Sequence, residues 1–148
     1  MLVYDPATNP LNQNEWSFPL LEIIHIAGFA LSIGTITLVD LRLLGLAMLR
    51  QPSSRVAKDM APWTLIGIVI MLIAGPLIFT SDPNMYLHNP SFRFKMWALL
   101  IAIIYHYTIH RKVALAADSA TVVNKLVGSV SLALWVSVVA SGLFIAFV

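Results

Sequence analysis

The sequence contains no cysteine, which excludes disulfide bonds, thiolate metal sites and cysteine nucleophiles. It also has little charge, because 11% of its 148 residues are Asp, Glu, Lys or Arg, against roughly 25% in an average soluble chain. The nine Lys and Arg residues form no basic stripe, so nucleic acid is not an expected partner. No serine–histidine–carboxylate set, paired-carboxylate site or glycine-rich phosphate loop is present, which argues against hydrolytic and nucleotide chemistry.

The chain is rich in long apolar segments. Hydrophobic residues make up 59% of it and the mean hydropathy is +0.84, which predicts a single integral membrane domain over residues 1–148 in contact with the lipid bilayer. The apolar segments predict four helices, at about 19–49, 62–80, 92–111 and 122–148. Short loops between them favour an all-α, antiparallel four-helix transmembrane bundle. The N-terminus lacks the basic flank and cleavage site of a signal peptide, so we expect the first apolar segment to be retained.

The basic residues are unevenly distributed along this predicted bundle. Only Arg93 and Lys95 lie near the second loop, whereas seven others lie in or beside the first and third loops: Arg42, Arg50, Arg55, Lys58, Arg111, Lys112 and Lys125. The positive-inside rule then predicts that both termini and the second loop are outside. We therefore expect a multi-pass protein of the bacterial cytoplasmic (inner) membrane.

The first predicted helix carries a polar stripe. At alternating steps of three and four residues it places these side chains on one face: Glu22, His25, Gly28, Ser32, Thr35, Val39 and Arg42. A charged side chain at mid-bilayer costs at least ~2.5–3.5 kcal/mol on insertion scales, so this stripe must face protein or a bound group. Asp40 lies off the stripe, and we expect it to pair with Lys58 or Arg111.

The histidines are the candidate cofactor ligands. Two histidines on facing helices, with a glycine such as Gly28 nearby and no cysteine, are typical of axial ligation of haem b. In one interpretation a single haem near the outer side uses His25 with a partner among His88, Lys95 and Met96. In the other there are two haem sites, and the second uses His106 or His110.

Further residues have expected roles around such a site. Glu22 is a candidate partner that orients His25 or relays protons to it. Lys95, Arg93 and Arg42 are candidate partners of the haem propionates. His106 and His110 lie one turn apart on one face, so they cannot be opposite ligands of one iron, but they could chelate copper or zinc.

The first helix, EIIHIAGFALSIGTITLVDLRLLG, and the third, FRFKMWALLIAIIYHYTIHR, resemble those of small bacterial four-helix membrane proteins of unassigned function. More loosely, they resemble HemJ-type protoporphyrinogen oxidases and CopD-type copper-resistance membrane domains. The resemblance covers roughly a third of the chain, through an early His and a Lys-led helix that ends in Tyr-His. It implies a haem b site that involves His25, with contributions from Lys95 and His106.

The leading hypothesis is thus a haem b protein that transfers electrons in the bilayer, alone, as a homo-oligomer or as a subunit of a larger complex. Any catalysis would be haem-dependent oxidoreduction. One alternative is a cofactor-free assembly subunit whose polar stripe is buried against another chain. Another is a copper- or metal-handling protein that uses His88 and Met96.

Overall fold

The structure, a computed structural model, describes residues 4–116 and 121–147, and within these ranges it contains helices and no strand. After a short 3₁₀ turn the chain forms α1 (Pro10–Gln13), α2 (Ser17–Leu44), α3 (Ser53–Phe79) and α4 (Pro83–His88). It continues with α5 (Pro90–Tyr105), a π-helical segment (His106–His110), α6 (Arg111–Ala116) and α7 (Val122–Phe144). The all-helical prediction is confirmed.

The two helix ends next to the first predicted loop differ most from the sequence prediction. The first long helix ends at Leu44 instead of 49, because Gly45 adopts a left-handed conformation (φ 76°) and donates its N–H to the Arg42 carbonyl. The next begins at Ser53 instead of 62, so most of the predicted polar loop is helical. Its first turns carry an exposed Arg55–Asp59 pair (Nε to Oδ2 3.9 Å), and Pro62 lies inside the helix.

The third predicted helix is also longer than expected and has an irregular centre. α5, the π-helical segment and α6 follow one another without a break from Pro90 to Ala116. In the π-helical segment the Arg111 N–H bonds to the His106 carbonyl, five residues back. π-Helical turns are rare, and they occur frequently at functional sites.

Three helices are long and apolar enough to cross a membrane: α2, α3 and α7, with window hydropathies of 1.7, 2.2 and 1.9. Their outward faces carry large apolar side chains such as Ile23, Ile73 and Val136, each 62% exposed in the isolated chain. These surfaces are compatible with lipid contact.

The closest helix contact lies between α2 and α3 at two glycines. A Cβ atom on Gly67 would lie 2.6 Å from the Gly28 carbonyl oxygen, and one on Gly28 would lie 2.6 Å from Ile70 Cγ2. Thr35 lies two turns after Gly28 and Thr64 lies one turn before Gly67, and their hydroxyls share a buried hydrogen bond of 2.8 Å. Small residues allow this backbone approach, and the hydroxyl pair joins the two helices inside the apolar region.

Two apolar clusters complete the core. One joins all four long segments, with Ile36, Met71, Ala102, Trp135 and Val138 at its centre. The other lies where α2 ends, and it consists of Val39, Leu43, Val56, Ala114 and Val127.

The N-terminal arm is attached to the end of α3. Asn9 donates from Nδ2 to the Thr80 carbonyl at 2.7 Å, and Asn12 donates to the Ser81 carbonyl at 2.9 Å. The Tyr4 hydroxyl also donates to Thr80. The arm therefore satisfies backbone acceptors that a helix end would otherwise leave open.

We predict that Gly67→Ala destabilises the protein by about 1–3 kcal/mol, because the added methyl group would overlap backbone atoms of α2 that cannot move independently. The measurement is thermal unfolding of the detergent-purified protein. Gly34→Ala is the matched control, since its Cβ would meet no atom within 4 Å and should leave stability unchanged or slightly higher. Equal unfolding temperatures for the two variants would contradict a tight contact at Gly67.

Candidate functional site

The polar side chains inside the bundle form two centres at opposite ends. We call the end where α2 turns towards α3 the Gly45 end, and the end where α3 meets α4 the Asp82 end. His25 and Lys95 lie towards the Asp82 end, whereas Asp40, His106 and His110 lie towards the Gly45 end. The polar stripe of the sequence prediction is therefore divided between two sites.

His25 packs against α3. A Cβ on Gly75 would lie 3.3 Å from His25 Cε1 and 3.7 Å from Nδ1, so the ring occupies space that exists because residue 75 is glycine. The ring also borders the Met71 backbone, and it is parallel to Phe29 (interplanar angle 6°, centroids 6.4 Å apart). Its Nδ1 atom is enclosed and has no hydrogen-bond partner among the described residues.

Lys95 approaches the same place from α5. Its Nζ lies 5.5 Å from the centroid of the Phe29 ring, a cation–π contact, and within electrostatic range of His25. A Cβ on Gly142 of α7 would lie 3.2 Å from this Nζ. Within the described residues no carboxylate forms an ion pair with Lys95. The sequence prediction that Lys95 lies level with His25 agrees with this geometry.

The other residues predicted near His25 have exposed side chains. Arg93 and Met96 are exposed on α5, and Glu22 is exposed on α2. Because His25 Nδ1 has no partner in the described structure, Glu22 does not orient it through that atom. His88 is exposed in α4 and uses its Nδ1 in a 2.8 Å contact with the Asn84 carbonyl.

Gly28 and Arg42 have structural contacts of their own. Gly28 is covered by Gly67 and Ile70 of α3, so helix packing occupies the space that we expected a flat ligand to use. Arg42 is buried, and its Nε donates to the Gln51 carbonyl at 2.6 Å, which fastens the turn after α2.

At the second centre, the contact between Asp40 and His110 was not expected from the sequence. Asp40 Oδ1 lies 2.6 Å from His110 Nε2, and the two residues are 0% and 1% exposed. The predicted pairing of Asp40 with Lys58 or Arg111 is wrong, because α6 and the π-helical segment turn a histidine towards Asp40 instead. The sequence feature that could have predicted this pair is the carboxylate of Asp40 within an apolar segment. Such a carboxylate requires a partner at the same depth on another helix.

His106 adjoins this pair. Its ring stacks on that of His110 with centroids 5.0 Å apart and an interplanar angle of 28°. The Nδ1 atoms of both histidines, and Asp40 Oδ2, are enclosed without hydrogen-bond partners in the described structure. Ser131 of α7 lies close to Asp40, so α7 also borders this centre.

A cavity of about 170 Å³ lies beside these histidines, between α3 and the π-helical segment. Its polar lining comes from Thr64, His106, Tyr107, His110 and Arg111. Pockets for drug-sized ligands measure roughly 300–1,000 Å³, so this cavity suits water or a small ion better than a porphyrin.

The haem that the resemblance implies can be tested against these donor positions. His25 lies over Gly75, while His106 borders the cavity at Thr64, eleven residues earlier on α3 and therefore about 16 Å away along the axis. Two nitrogens on one iron lie about 4 Å apart, twice a metal–nitrogen bond. A single iron between His25 and His106 therefore does not fit, and the donor and cation that lie close to each other are His25 and Lys95.

A metal site of three or more protein ligands is not formed. Among residues 4–116 and 121–147, no group of three or more His, Asp or Glu side chains is placed to hold an ion. The copper interpretation would therefore depend on fewer ligands than most structural metal sites use.

The Asp82 end is closed by aromatic side chains outside the membrane-spanning helices. Tyr86 packs on Phe92 and Phe79, with ring centroids 5.3 Å and 6.1 Å away. Burial raises the pKa of Tyr86, and the charges of Glu22 and Asp82 raise it further against the opposing effect of a hydrogen bond with Ser81. The tyrosine therefore stays neutral and packs as an aromatic side chain.

Long apolar helices, lipid-compatible outer faces and buried ionisable side chains are features of a helical membrane protein. Within that class, the chain belongs to DUF6644, a family of unknown function, whose family model matches residues 19–148. No curated protein matches the chain, and no solved structure does.

We predict that Asp40→Ala lowers the free energy of unfolding by about 3–5 kcal/mol, because it leaves His110 buried without its partner. Thermal unfolding in detergent is the measurement. The control is Asp59→Ala, which removes an exposed pair with Arg55 and should cost no more than about 1 kcal/mol. If the two variants were equally stable, the Asp40–His110 bond would not support the fold.

Proposed function

We propose that the protein binds one haem b at the Asp82 end and transfers electrons within the bilayer. The observation that carries this proposal is the convergence of His25 and Lys95. The His25 imidazole lies beside an ammonium that forms no ion pair with a carboxylate in the described structure, and each packs against a glycine of another helix. An imidazole and a cation are the two groups that haem iron and its propionates require.

Bound haem would supply one-electron chemistry at its iron. His25 would provide the axial nitrogen, and the contact with Gly75 and Phe29 restricts the orientation of its ring. Lys95 would hold a propionate, and its position over Phe29 and Gly142 keeps the ammonium inside the bundle. Arg93, exposed two residues earlier, is a second cation for the outer propionate.

The arrangement favours one haem over two. The histidines of the Gly45 end stack on each other, and the cavity beside them is small for a porphyrin. His110 is bonded to Asp40 and His106 stacks on His110, so the proposal assigns no iron ligand to either histidine.

The proposal extends to the architecture. Residues 90–116 are continuously helical, and Ala98, Leu99 and Ala102 contribute to the core while Leu100, Ile101 and Ile104 point outward. This pattern supports a fourth crossing, hence an antiparallel four-helix bundle in a bacterial cytoplasmic membrane. The basic residues of the Gly45 end favour both termini outside. The protein would then transfer electrons alone, as a homo-oligomer or as a subunit of a larger membrane complex.

We predict a b-type reduced-minus-oxidised spectrum for the detergent-purified protein, with one haem per chain. His25→Ala should lower haem occupancy at least about tenfold, because it removes the axial nitrogen. Lys95→Met should lower it less, since the chain length is kept and the charge is lost. His88→Ala is the control, because His88 is exposed in α4 and should leave occupancy unchanged.

Other outcomes would select the other functions. A colourless, metal-free protein would contradict the haem proposal and favour a cofactor-free assembly subunit. Stoichiometric copper without a Soret band would favour metal handling. Loss of haem in the His106→Ala variant but not in His25→Ala would place the iron at the Gly45 end.

The absence of native cysteine makes a topology test direct. In spheroplasts we expect an impermeant maleimide to label Asn84→Cys, whereas Lys58→Cys and Lys112→Cys should react only after lysis. All three native residues are exposed, so the variants should fold normally. Labelling of Lys112→Cys together with Asn84→Cys would show that residues 90–116 do not cross the membrane.

A further inference from the structure

The Asp40–His110 pair at the Gly45 end has no part in the proposed haem site. It joins residues 70 positions apart in the chain, and both side chains are almost completely buried. Ionisable residues inside membrane-spanning helices are expensive, and they commonly mark ion pathways and proton relays. Packing alone would be served equally well by two apolar side chains.

The pair borders a cavity that reaches the protein surface. The part of its lining that comes from α3 runs from Ala57 to Leu65, and Arg111 lines it from α6. Leu65, Tyr107 and Arg111 are exposed, whereas His110 is buried, so the lining extends from the surface to the pair.

The size and lining of this cavity suit water. A volume of about 170 Å³ has room for about five molecules at roughly 30 Å³ each. A buried water needs two to four polar partners, and the lining offers Thr64, Tyr107, the two histidines and Arg111. His110 both borders this cavity and contacts Asp40, so it is the link between the two.

The charged and titratable groups around the pair come from every neighbouring helix. Arg111 and His106 adjoin His110 on its own segment, Tyr105 and Tyr107 flank His106, and Ser131 of α7 lies close to Asp40. On α2 the charged residue nearest to Asp40 in the sequence is Arg42, whose Nε donates a hydrogen bond to the Gln51 carbonyl. On α3, which faces the pair across the cavity, the polar lining residue is the uncharged Thr64.

We propose that Asp40 and His110 form a proton-binding site that exchanges with water at the Gly45 end through this cavity. The proton arrives as hydronium, which leaves as water, and it is held between His110 Nε2 and Asp40 Oδ1. His106 is a positioning residue that stacks on His110 and forms part of the cavity wall. The site is independent of haem binding at His25.

The test is ¹⁵N NMR of the full chain in nanodiscs, with histidine labelled. The sequence has four histidines, so single Gln substitutions at His25, His88 and His106 identify the His110 signals by elimination, and each keeps both members of the pair. We expect the His110 ring signals to respond to the pH of the bulk solution, because the site exchanges its proton with water at the Gly45 end. A His110 spectrum that is the same in acidic and in alkaline buffer would overturn the proposal.

Two variants test the partner and the route. In Asp40→Asn the pH response of His110 should shift by at least one pH unit or disappear; an unchanged response would remove Asp40 from the site. Ala61→Phe should fill the cavity and slow exchange of the His110 ring proton with water at least tenfold. Ala30→Phe, on the exposed face of α2, is the control and should leave the rate unchanged. Equal rates in the two Phe variants would overturn the cavity route.

Discussion

The close approach of α2 and α3 is the constraint on which the other contacts depend. Gly28 and Gly67 bring the two backbones together, and the Thr35–Thr64 hydrogen bond holds them at that distance. In a bilayer the hydrophobic effect does not drive helices together, so van der Waals packing and hydrogen bonds determine the arrangement. The same pairing sets His25 over Gly75 on one side of this contact, and it sets Thr64 at the wall of the cavity on the other.

From this contact the two polar centres follow as separate sites. At the Asp82 end lie one imidazole and one ammonium, and each packs against a glycine of a neighbouring helix. At the Gly45 end lie a carboxylate and two histidines, where one histidine contacts the carboxylate and the other histidine stacks on the first. The apolar cluster around Met71 and Trp135 lies between them, so the two sites are insulated by packed side chains.

Much of this could be read from the sequence, and the failures have physical causes. Apolar length predicted the helices, and Lys95 was among the residues predicted to lie beside His25. The start of α3 was missed because charged first turns resemble a loop when Pro62 follows them. Asp40 was assigned to Lys58 or Arg111 because charge attraction suggested a partner of opposite sign. In the structure Asp40 instead contacts His110, which lies in the π-helical segment. Helical spacing in the sequence does not reveal a π-helical turn.

The N-terminal arm imposes an order on the assembly of the chain. Asn12 and Tyr4 bond to carbonyls that lie 69 and 76 residues later, so the ribosome has completed α2 and α3 before these bonds can form. The arm is thus among the later parts of the chain to find its partners. Its bonds hold the start of α2 and the end of α3 at the same end of the bundle, so they form only when these two helices are paired as an antiparallel hairpin.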